Sequence, residues 1–273
     1  LGDVYKRQAK EFGITFDNLS YDWGAVIGRS RNVSDRLAGG VEFLFKKNKV
    51  DYVKGYGSVV DSTHVEVKAS DGSVQVLETS NIIIATGGKA REFPGLPFNG
   101  SNVIGSREAM TLPSQPSRMV IIGAGAIGVE FAYIYNAFGT EVTLVEMMPR
   151  LVPVEDDDIG DALKKSYSRQ GIKCLTDTKV IATENAGDSV RVTVENAKGS
   201  QVIEADICLV AIGVVPVLPG GQLPEFTDRG WIQIGDRYET SMRGVYAIGD
   251  IAGPPWLAHT AMYEATQLSL IHI

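Results

Sequence analysis

Cysteine and histidine are scarce in this chain of 273 residues, which has two cysteines and three histidines. Two cysteines cannot build a structural zinc site alone, and Cys174 and Cys208 form no C-x-x-C pair, so we expect buried, unreactive thiols. His64, His259 and His272 are scattered along the chain. The sequence therefore predicts no metal site.

The chain also lacks an excess of positive charge and any long apolar run. Its net charge of −7 argues against nucleic acid and against a membrane surface as partners. No apolar run approaches transmembrane length and no signal peptide opens the chain, so we expect a cytoplasmic protein. An initiator methionine is missing too: the chain opens on Leu1 and ends LSLIHI, and we interpret it as an internal fragment.

Glycine is abundant instead, with 30 residues, and the most informative ones lie in RMVIIGAGAIGVE (118–130). An apolar strand runs into Gly123-x-Gly125-x-x-Gly128, a helical run follows, and a second strand ends at Glu146. This order is typical of a dinucleotide-binding βαβ unit. A glycine-rich turn in some other α/β protein is the alternative interpretation.

Each residue of this motif has a physical role in that unit. Gly123 permits the tight turn, Gly125 leaves room for a pyrophosphate to approach the backbone, and Gly128 lets the helix pack close to the strand. The helix N-terminus offers unpaired N–H groups to the phosphates. Glu146, 18 residues after Gly128, can accept hydrogen bonds from ribose hydroxyls and would repel a 2′-phosphate, which predicts NAD rather than NADP.

The chain repeats one design. The segments IIIATGG (82–88) and LVAIGV (209–214) are apolar strands that end in glycine, and short alternating strands precede both. We predict a buried strand over 81–85 and helices over 31–48 and 157–169. The predicted fold class is α/β, with two Rossmann-like dinucleotide-binding domains that carry β-meander insertions. The first is incomplete, because no GxGxxG precedes residue 30.

Six motifs occur along the chain in the following order: IIIATGG, VIIGAGAIGVE, VEMMPRLVP, AIGV, VYAIGD and WLAHTAMYEA. In this order they resemble the flavoprotein disulfide reductases. The segments GVEFLFKKNKVDYVKGYG (40–57) and LAH (257–259) are especially similar to the branch that oxidises dihydrolipoamide. The resemblance implies FAD and NAD as cofactors. It implies a partial FAD-binding domain (1–112), an NAD-binding domain (113–235) and a return segment of the FAD-binding domain (236–273).

The resemblance also assigns residues to FAD. An aspartate like Asp250 accepts a hydrogen bond from a ribityl hydroxyl, although a helix N-cap is a compatible role. His259 could instead be a surface histidine, and Gly57 a simple β-bulge. The implied FAD-binding residues are Gly57, Thr86, Gly87, Gly88, Asp250, Trp256, Leu257, Ala258 and His259.

On the NAD side, the resemblance gives Glu130 a catalytic place at the flavin edge and Ile127 a position that leaves the nicotinamide a stacking path. The alternative for Glu130 is an ordinary carboxylate on the exposed surface, and the alternative for Ile127 is ordinary helix packing. Val180 would contact adenine and Gly213 would border the nicotinamide. The implied residues are Gly123, Ala124, Gly125, Ala126, Ile127, Gly128, Glu130, Glu146, Val180 and Gly213.

The resemblance implies a parent enzyme that oxidises dihydrolipoamide through a redox disulfide and FAD and reduces NAD⁺, with a role in cell redox homeostasis. Its partner would be the lipoyl domain of a 2-oxo acid dehydrogenase or glycine cleavage complex, and it would be a homodimer. The redox C-x-x-x-x-C and the dimer domain of the family are not in this sequence. Other flavoprotein disulfide reductases, transhydrogenases, NADH oxidases, a flavin-free NAD dehydrogenase and a non-catalytic dinucleotide-binding module stay open.

Overall fold

The computed structural model describes residues 8–9, 11–15, 17 and 20–272. Among these residues, no helix is both long and apolar enough to span a membrane. The helices are α1 (Trp23–Lys47), α2 (Ser106–Ala109), α3 (Ala126–Ala137), α4 (Asp157–Arg169) and α5 (Ala258–His272), with a 3₁₀-helix at Gly249–Ala252. The strands are β1 (Tyr56–Asp61), β2 (His64–Lys68), β3 (Val74–Glu78), β4 (Ile82–Ile84), β5 (Gly88–Ala90), β6 (Val103–Ile104), β7 (Arg118–Ile122), β8 (Glu141–Val145), β9 (Lys173–Leu175), β10 (Lys179–Asn185), β11 (Val190–Asn196), β12 (Gly199–Ala205), β13 (Ile207–Val210), β14 (Val214–Pro216), β15 (Gly220–Gly221) and β16 (Val245–Ala247).

Two compact units make up the described chain. Unit 1 contains the described residues up to Ala38 together with Ala90–Gly213, and unit 2 contains Gly39–Lys89 together with the described residues from Val214 onward. The sequence predicts boundaries at 112/113 and 235/236. Which stretch of chain serves which cofactor stays a prediction.

The centre of unit 1 is a five-stranded parallel sheet in the order β6-β13-β7-β8-β9. In β7, Ile121 lies opposite Leu209 of β13 on one side and Leu144 of β8 on the other. From β7 the chain adds β8 and β9 on one side and later returns to form β13 on the other side, which is the strand order of a doubly wound sheet. The short β6, which precedes β7 in the chain, lies at the edge beyond β13. Ligands bind such sheets at the carboxyl ends of the strands where the order reverses, here between β7 and β13.

The side chains of β7 alternate between two different apolar clusters. Met119 and Ile121 join the apolar cluster that contains helix residues such as Tyr135, while Val120 and Ile122 join a second cluster. Because successive side chains of a strand point to opposite faces, both faces of the sheet are buried. The β-meander β10-β11-β12 supplies the second cluster with its fully buried valines, Val190, Val192 and Val194.

The predicted helices are both present. Helix α4 spans the predicted 157–169, whereas α1 begins at Trp23, eight residues before the predicted start. The side chain of Asp22 accepts a hydrogen bond from the Ala25 N–H at 3.1 Å, which stabilises the first turn of α1. The sequence prediction places the helix start too late because the helical spacing of apolar residues becomes clear only from Val33 onward. A single aspartate before the helix is a weaker signal than that spacing.

Unit 2 has an antiparallel meander, β1-β2-β3, with the short β15 on its other edge, and a separate parallel pair, β4 and β16. Ile82 and Ile84 are buried, but Ile83 is 43% exposed. The prediction of a buried strand over 81–85 is therefore correct for one face only. Within the described residues, the apolar cluster around Val245 and Ile251 covers that single face.

Candidate dinucleotide-binding site

The turn between β7 and α3 can be built only with glycine at Gly123. Its φ is +98°, and its N–H donates to the carbonyl of Val145 at 2.8 Å. A Cβ at this position would lie 2.5 Å from the Ala211 carbonyl oxygen, on the neighbouring strand connection. The turn therefore presses against the carboxyl end of β13, at the point where the strand order reverses.

The other two glycines of the motif differ from each other. A Cβ on Gly128 would collide with the carbonyl oxygen of Gly123, so helix and turn touch backbone to backbone. At Gly125, the N-cap of α3, a Cβ would meet no heavy atom within 4 Å. Gly125 is thus dispensable for packing but leaves open the space in front of the helix N-terminus, where Ala126 begins α3 and N–H groups can bind an anion.

The carboxylate of Glu146 lies at the mouth of the glycine turn. It is only 8% exposed; one oxygen accepts the Ala124 N–H at 2.7 Å and the other accepts the Met148 N–H at 2.8 Å. Each carboxylate oxygen has two lone-pair sites, so both can still accept a hydroxyl hydrogen bond. The structure brings Gly123, Ala124, Gly125 and Glu146 together as the sequence predicts, and ribose binding by Glu146 stays a prediction.

A cavity of about 530 Å³ opens beside these groups, all within unit 1. Val180 lines it just before a bulge in β10, and Gly213 lines it with a φ of +108°. Bulges next to a site commonly re-aim the backbone. Further lining residues, which sequence reasoning missed, are Phe93, Met147, Pro153 and Thr178.

The loop after β8 supplies a contact that no sequence motif announces. The N–H of Val152 donates to the Ala124 carbonyl at 2.8 Å, although Val152 has a φ of +45°, which is unfavourable for a β-branched residue. A backbone donor has no residue-type signature, so only the two prolines and the arginine of MMPRLVP could have suggested an ordered loop.

Ile127 and Glu130 lie on α3 outside this cavity. Ile127 packs against the apolar cluster of the sheet, which is the ordinary helix-packing role. Glu130 is exposed, and its carboxylate makes no hydrogen bond within the described residues. Burial raises the pKa of the nearby Tyr167 phenol to about 12, and the negative charges of Cys174 and Glu130 contribute. A catalytic role for Glu130 stays a prediction.

In unit 2, two loops follow the carboxyl ends of the paired parallel strands β4 and β16. Gly87 has a φ of +73°, and a Cβ on Gly88 would lie 3.7 Å from the Cβ of Asp250. Thr86 is exposed on the same loop, and the Asp250 carboxylate has no hydrogen-bond partner within the described part of the chain. The sequence missed Glu264, whose carboxylate accepts the Gly249 N–H at 2.6 Å.

The remaining predicted flavin residues are accessible in unit 2. Trp256 is 42% exposed with its ring centroid 5.3 Å from that of the buried Trp231. Leu257, Ala258 and His259 are exposed where α5 begins. Gly57 pairs with Val67 in the regular part of β1, because the register shift lies between Val59 and Asp61.

The thiols show how burial affects their reactivity. Burial raises the pKa of Cys208 to about 12, and it also raises the pKa of Cys174, which Lys164 partly offsets. A high pKa leaves little thiolate at neutral pH, so neither thiol is activated. No group of three or more potential metal ligands occurs in the described residues.

Comparison with known proteins places the sequence in one family. The model of the pyridine nucleotide-disulphide oxidoreductases matches residues 4–265. A dihydrolipoyl dehydrogenase of Chlorobaculum parvum is 41% identical over 264 residues, covering 95% of this chain and 56% of the relative. A mitochondrial dihydrolipoyl dehydrogenase of Pisum sativum is 37% identical over 262 residues, covering 94% and 52%. The chain therefore spans about half the length of these relatives.

Solved structures share the fold. The crystal structure of LpdA from Mycobacterium tuberculosis matches with a TM-score of 0.89 at 23% identity, covering 99% of this chain and 59% of that one. The flavoprotein disulfide reductase RclA of Escherichia coli matches with a TM-score of 0.80 at 22% identity, covering 92% and 58%. These matches confirm the predicted fold class, a mixed α/β chain with Rossmann-like domains.

Proposed function

Because the chain belongs to the pyridine nucleotide-disulphide oxidoreductase family, we propose that it is the dinucleotide-binding part of a dihydrolipoyl dehydrogenase. The whole protein would oxidise dihydrolipoamide to lipoamide and reduce NAD⁺ to NADH, with FAD as its second cofactor. The observation that carries the proposal is the buried Glu146 carboxylate, hydrogen-bonded to the glycine turn beside an open cavity. The names of the relatives support the choice of dithiol substrate.

The residues of unit 1 fit NAD. The open space in front of Gly125 suits a pyrophosphate, and the N–H groups at the start of α3 would hold its charge. Glu146 would accept the adenosine ribose hydroxyls with its remaining lone pairs. Glu146 directly follows β8, on one side of the glycine turn. The nicotinamide would therefore lie on the other side, beside β13 and Gly213.

The residues of unit 2 fit part of an FAD. The Asp250 carboxylate, which has no hydrogen-bond partner among the residues that the structure describes, would accept a ribityl hydroxyl, and the bare backbone of Gly87 and Gly88 would allow close approach. The exposed start of α5, at Ala258 and His259, would place N–H groups beside the flavin ring. When bound, FAD and NAD supply the electron and hydride chemistry, while these residues bind and orient them.

The remaining parts of the proposal concern the whole protein. Its partner would be the lipoyl domain of a 2-oxo acid dehydrogenase or glycine cleavage complex, and it would act as a cytoplasmic homodimer. NADH:lipoamide activity of the complete gene product tests the substrate. Activity with oxidised glutathione or mercuric ion, and none with lipoamide, would instead favour another disulfide reductase of the same family.

Calorimetric titration of the chain with NADH and NADPH tests the cofactor. We expect NADH to bind more tightly, and Glu146→Ala to weaken NADH by about tenfold while affecting NADPH less, because a 2′-phosphate gains from loss of the carboxylate. Glu141→Ala is the matched control, since Glu141 begins the same strand and is exposed. Absence of NADH binding at millimolar concentration, or equal losses for both nucleotides, would refute the assignment.

A further inference from the structure

Both backbone polar groups of Ala124 are held by hydrogen bonds. Its N–H donates to the Glu146 carboxylate at 2.7 Å, and its carbonyl accepts the Val152 N–H at 2.8 Å. Ala124 is fully buried, so neither hydrogen bond competes with solvent. Both partners come from one stretch of chain, the end of β8 and the loop that follows it.

That loop is itself firmly anchored. Leu151 is fully buried in the apolar cluster of unit 1, and the guanidinium of Arg150 lies 3.2 Å from the carboxylate of Asp157 and 3.3 Å from that of Asp161, at the start of α4. Both aspartates are largely exposed, so the ion pairs add little; the buried leucine dominates.

The conformation of Val152 shows that the loop is held by its surroundings. A β-branched residue at φ +45° is energetically unfavourable and persists only where neighbouring contacts determine it. Here the contacts are the Leu151 anchor on one side and the Ala124 carbonyl on the other. Val152 itself also packs against the cluster.

We propose that the loop 147–153 clamps the phosphate-binding turn in its binding conformation before any cofactor arrives, with Glu146 and Val152 as positioning residues. The inference rests on the proposed dinucleotide function and deepens it. Glu146 then acts twice: on a ribose through its free lone pairs, and on the phosphates through the Ala124 amide. Val152 acts on the turn through its backbone N–H, which donates to the Ala124 carbonyl.

Amide hydrogen exchange in the ligand-free chain tests the clamp independently of any nucleotide. We expect the Ala124 and Val152 amides to be protected in the wild type, and Glu146→Gln to speed exchange at Ala124 by at least about tenfold, because the side-chain amide replaces one of the two acceptor oxygens with a donor. Unchanged exchange at Ala124 in this variant, or an unprotected Val152 amide, would overturn the proposal.

A ligand without ribose hydroxyls separates the two roles of Glu146. We expect Glu146→Gln to weaken binding of 2′,3′-dideoxyadenosine diphosphate by at least about fivefold, even though it removes a negative charge near an anionic ligand. A residue that served only the ribose would leave this affinity unchanged or improved, and that result contradicts the clamp. If the wild type binds neither this ligand nor NADH, the dinucleotide function fails, while the exchange experiment still decides whether the clamp exists.

A variant at Val152 tests whether the backbone is what matters. Val152→Gly keeps the N–H and tolerates the positive φ, so we expect NADH affinity to change by less than about threefold. A loss of tenfold or more, with unfolding midpoint unchanged, would assign the effect to the side chain and reject the backbone clamp.

Discussion

Units 1 and 2 contain the same parts but bury them differently. Each has a parallel pair of strands that ends in glycine and a three-stranded antiparallel meander. In unit 1, both faces of β7 are covered, and its four apolar residues are at most 4% exposed. In unit 2, β4 is covered on one face, and all of β3 is exposed within the described chain.

The comparison shows what an apolar strand with a glycine end specifies. In both units the glycine allows a turn with positive φ, at Gly87 and at Gly213, because it has no Cβ. Burial depends instead on the layers packed against the sheet. In unit 1 these are the helices on one face and the valines of β11 on the other.

The largest expected effect is a difference in core energetics between the units. Ile121→Ala in the centre of β7 should lower the free energy of unfolding by about 2–5 kcal/mol, because it removes buried methyl groups and leaves a cavity. Ile83→Ala at the same place in β4 should cost less than about 1 kcal/mol, since this side chain is 43% exposed. Denaturant unfolding of both variants measures the contrast, and equal losses would show that the second face of β4 is covered in solution.

The glycine turns offer the next contrast. Gly125→Ala should leave the unfolding midpoint unchanged, since no atom lies within 4 Å of the new Cβ, yet weaken NADH by about tenfold. Gly87→Ala should show the reverse, with a loss of about 1–2 kcal/mol in stability from its φ of +73° and no effect on NADH. Thermal unfolding and NADH titration of each variant give the comparison; a stability loss at Gly125 would mean that the turn is more closely packed than described.

The smallest effect concerns the turns of the two meanders. In unit 2, Asp61 and Asp71 each accept the N–H of the second residue after them, at 2.7 and 2.9 Å. In unit 1, Asn185 and Asn196 do the same at 3.0 and 2.9 Å. Of these four side chains only the two aspartates titrate, so acid should weaken these two hydrogen bonds of unit 2 and leave the two asparagine bonds of unit 1 intact.

The direction of that pH effect follows from the pKa values. The backbone N–H of Thr63, with the His64 side chain, lowers the pKa of Asp61 to about 2, and Ser73 lowers the pKa of Asp71. A lowered pKa adds stability above the unfolded value, near pH 4, which is lost as the pH falls toward 2. NMR amide shifts of Thr63 and Ser73 should therefore move between pH 5 and 2, while that of Lys198, which donates to an asparagine, stays constant. Asp61→Asn should remove the change at Thr63.

The features that the sequence predicts correctly are those that require particular side chains at particular positions. The glycine turn, the acid at Glu146 and the helix at 157–169 are visible because each depends on a residue type at a fixed spacing. The Val152 hydrogen bond is made by a backbone N–H, which every residue except proline has, so no pattern reveals it. The exposed face at Ile83 also escapes prediction, because an apolar triplet does not say how many layers cover it.

The alternating side chains of β7 determine which changes of sequence this strand can tolerate. A one-residue insertion directly after Arg118, with the preceding residues kept in register, would exchange the two faces. It would send Ile121 toward the meander and Val120 toward the helices, and would displace Gly123 from the Ala211 carbonyl. This segment should accept many apolar replacements of similar volume but no change in length. Its evolutionary freedom lies in composition, whereas its residue count is fixed by the turn that follows.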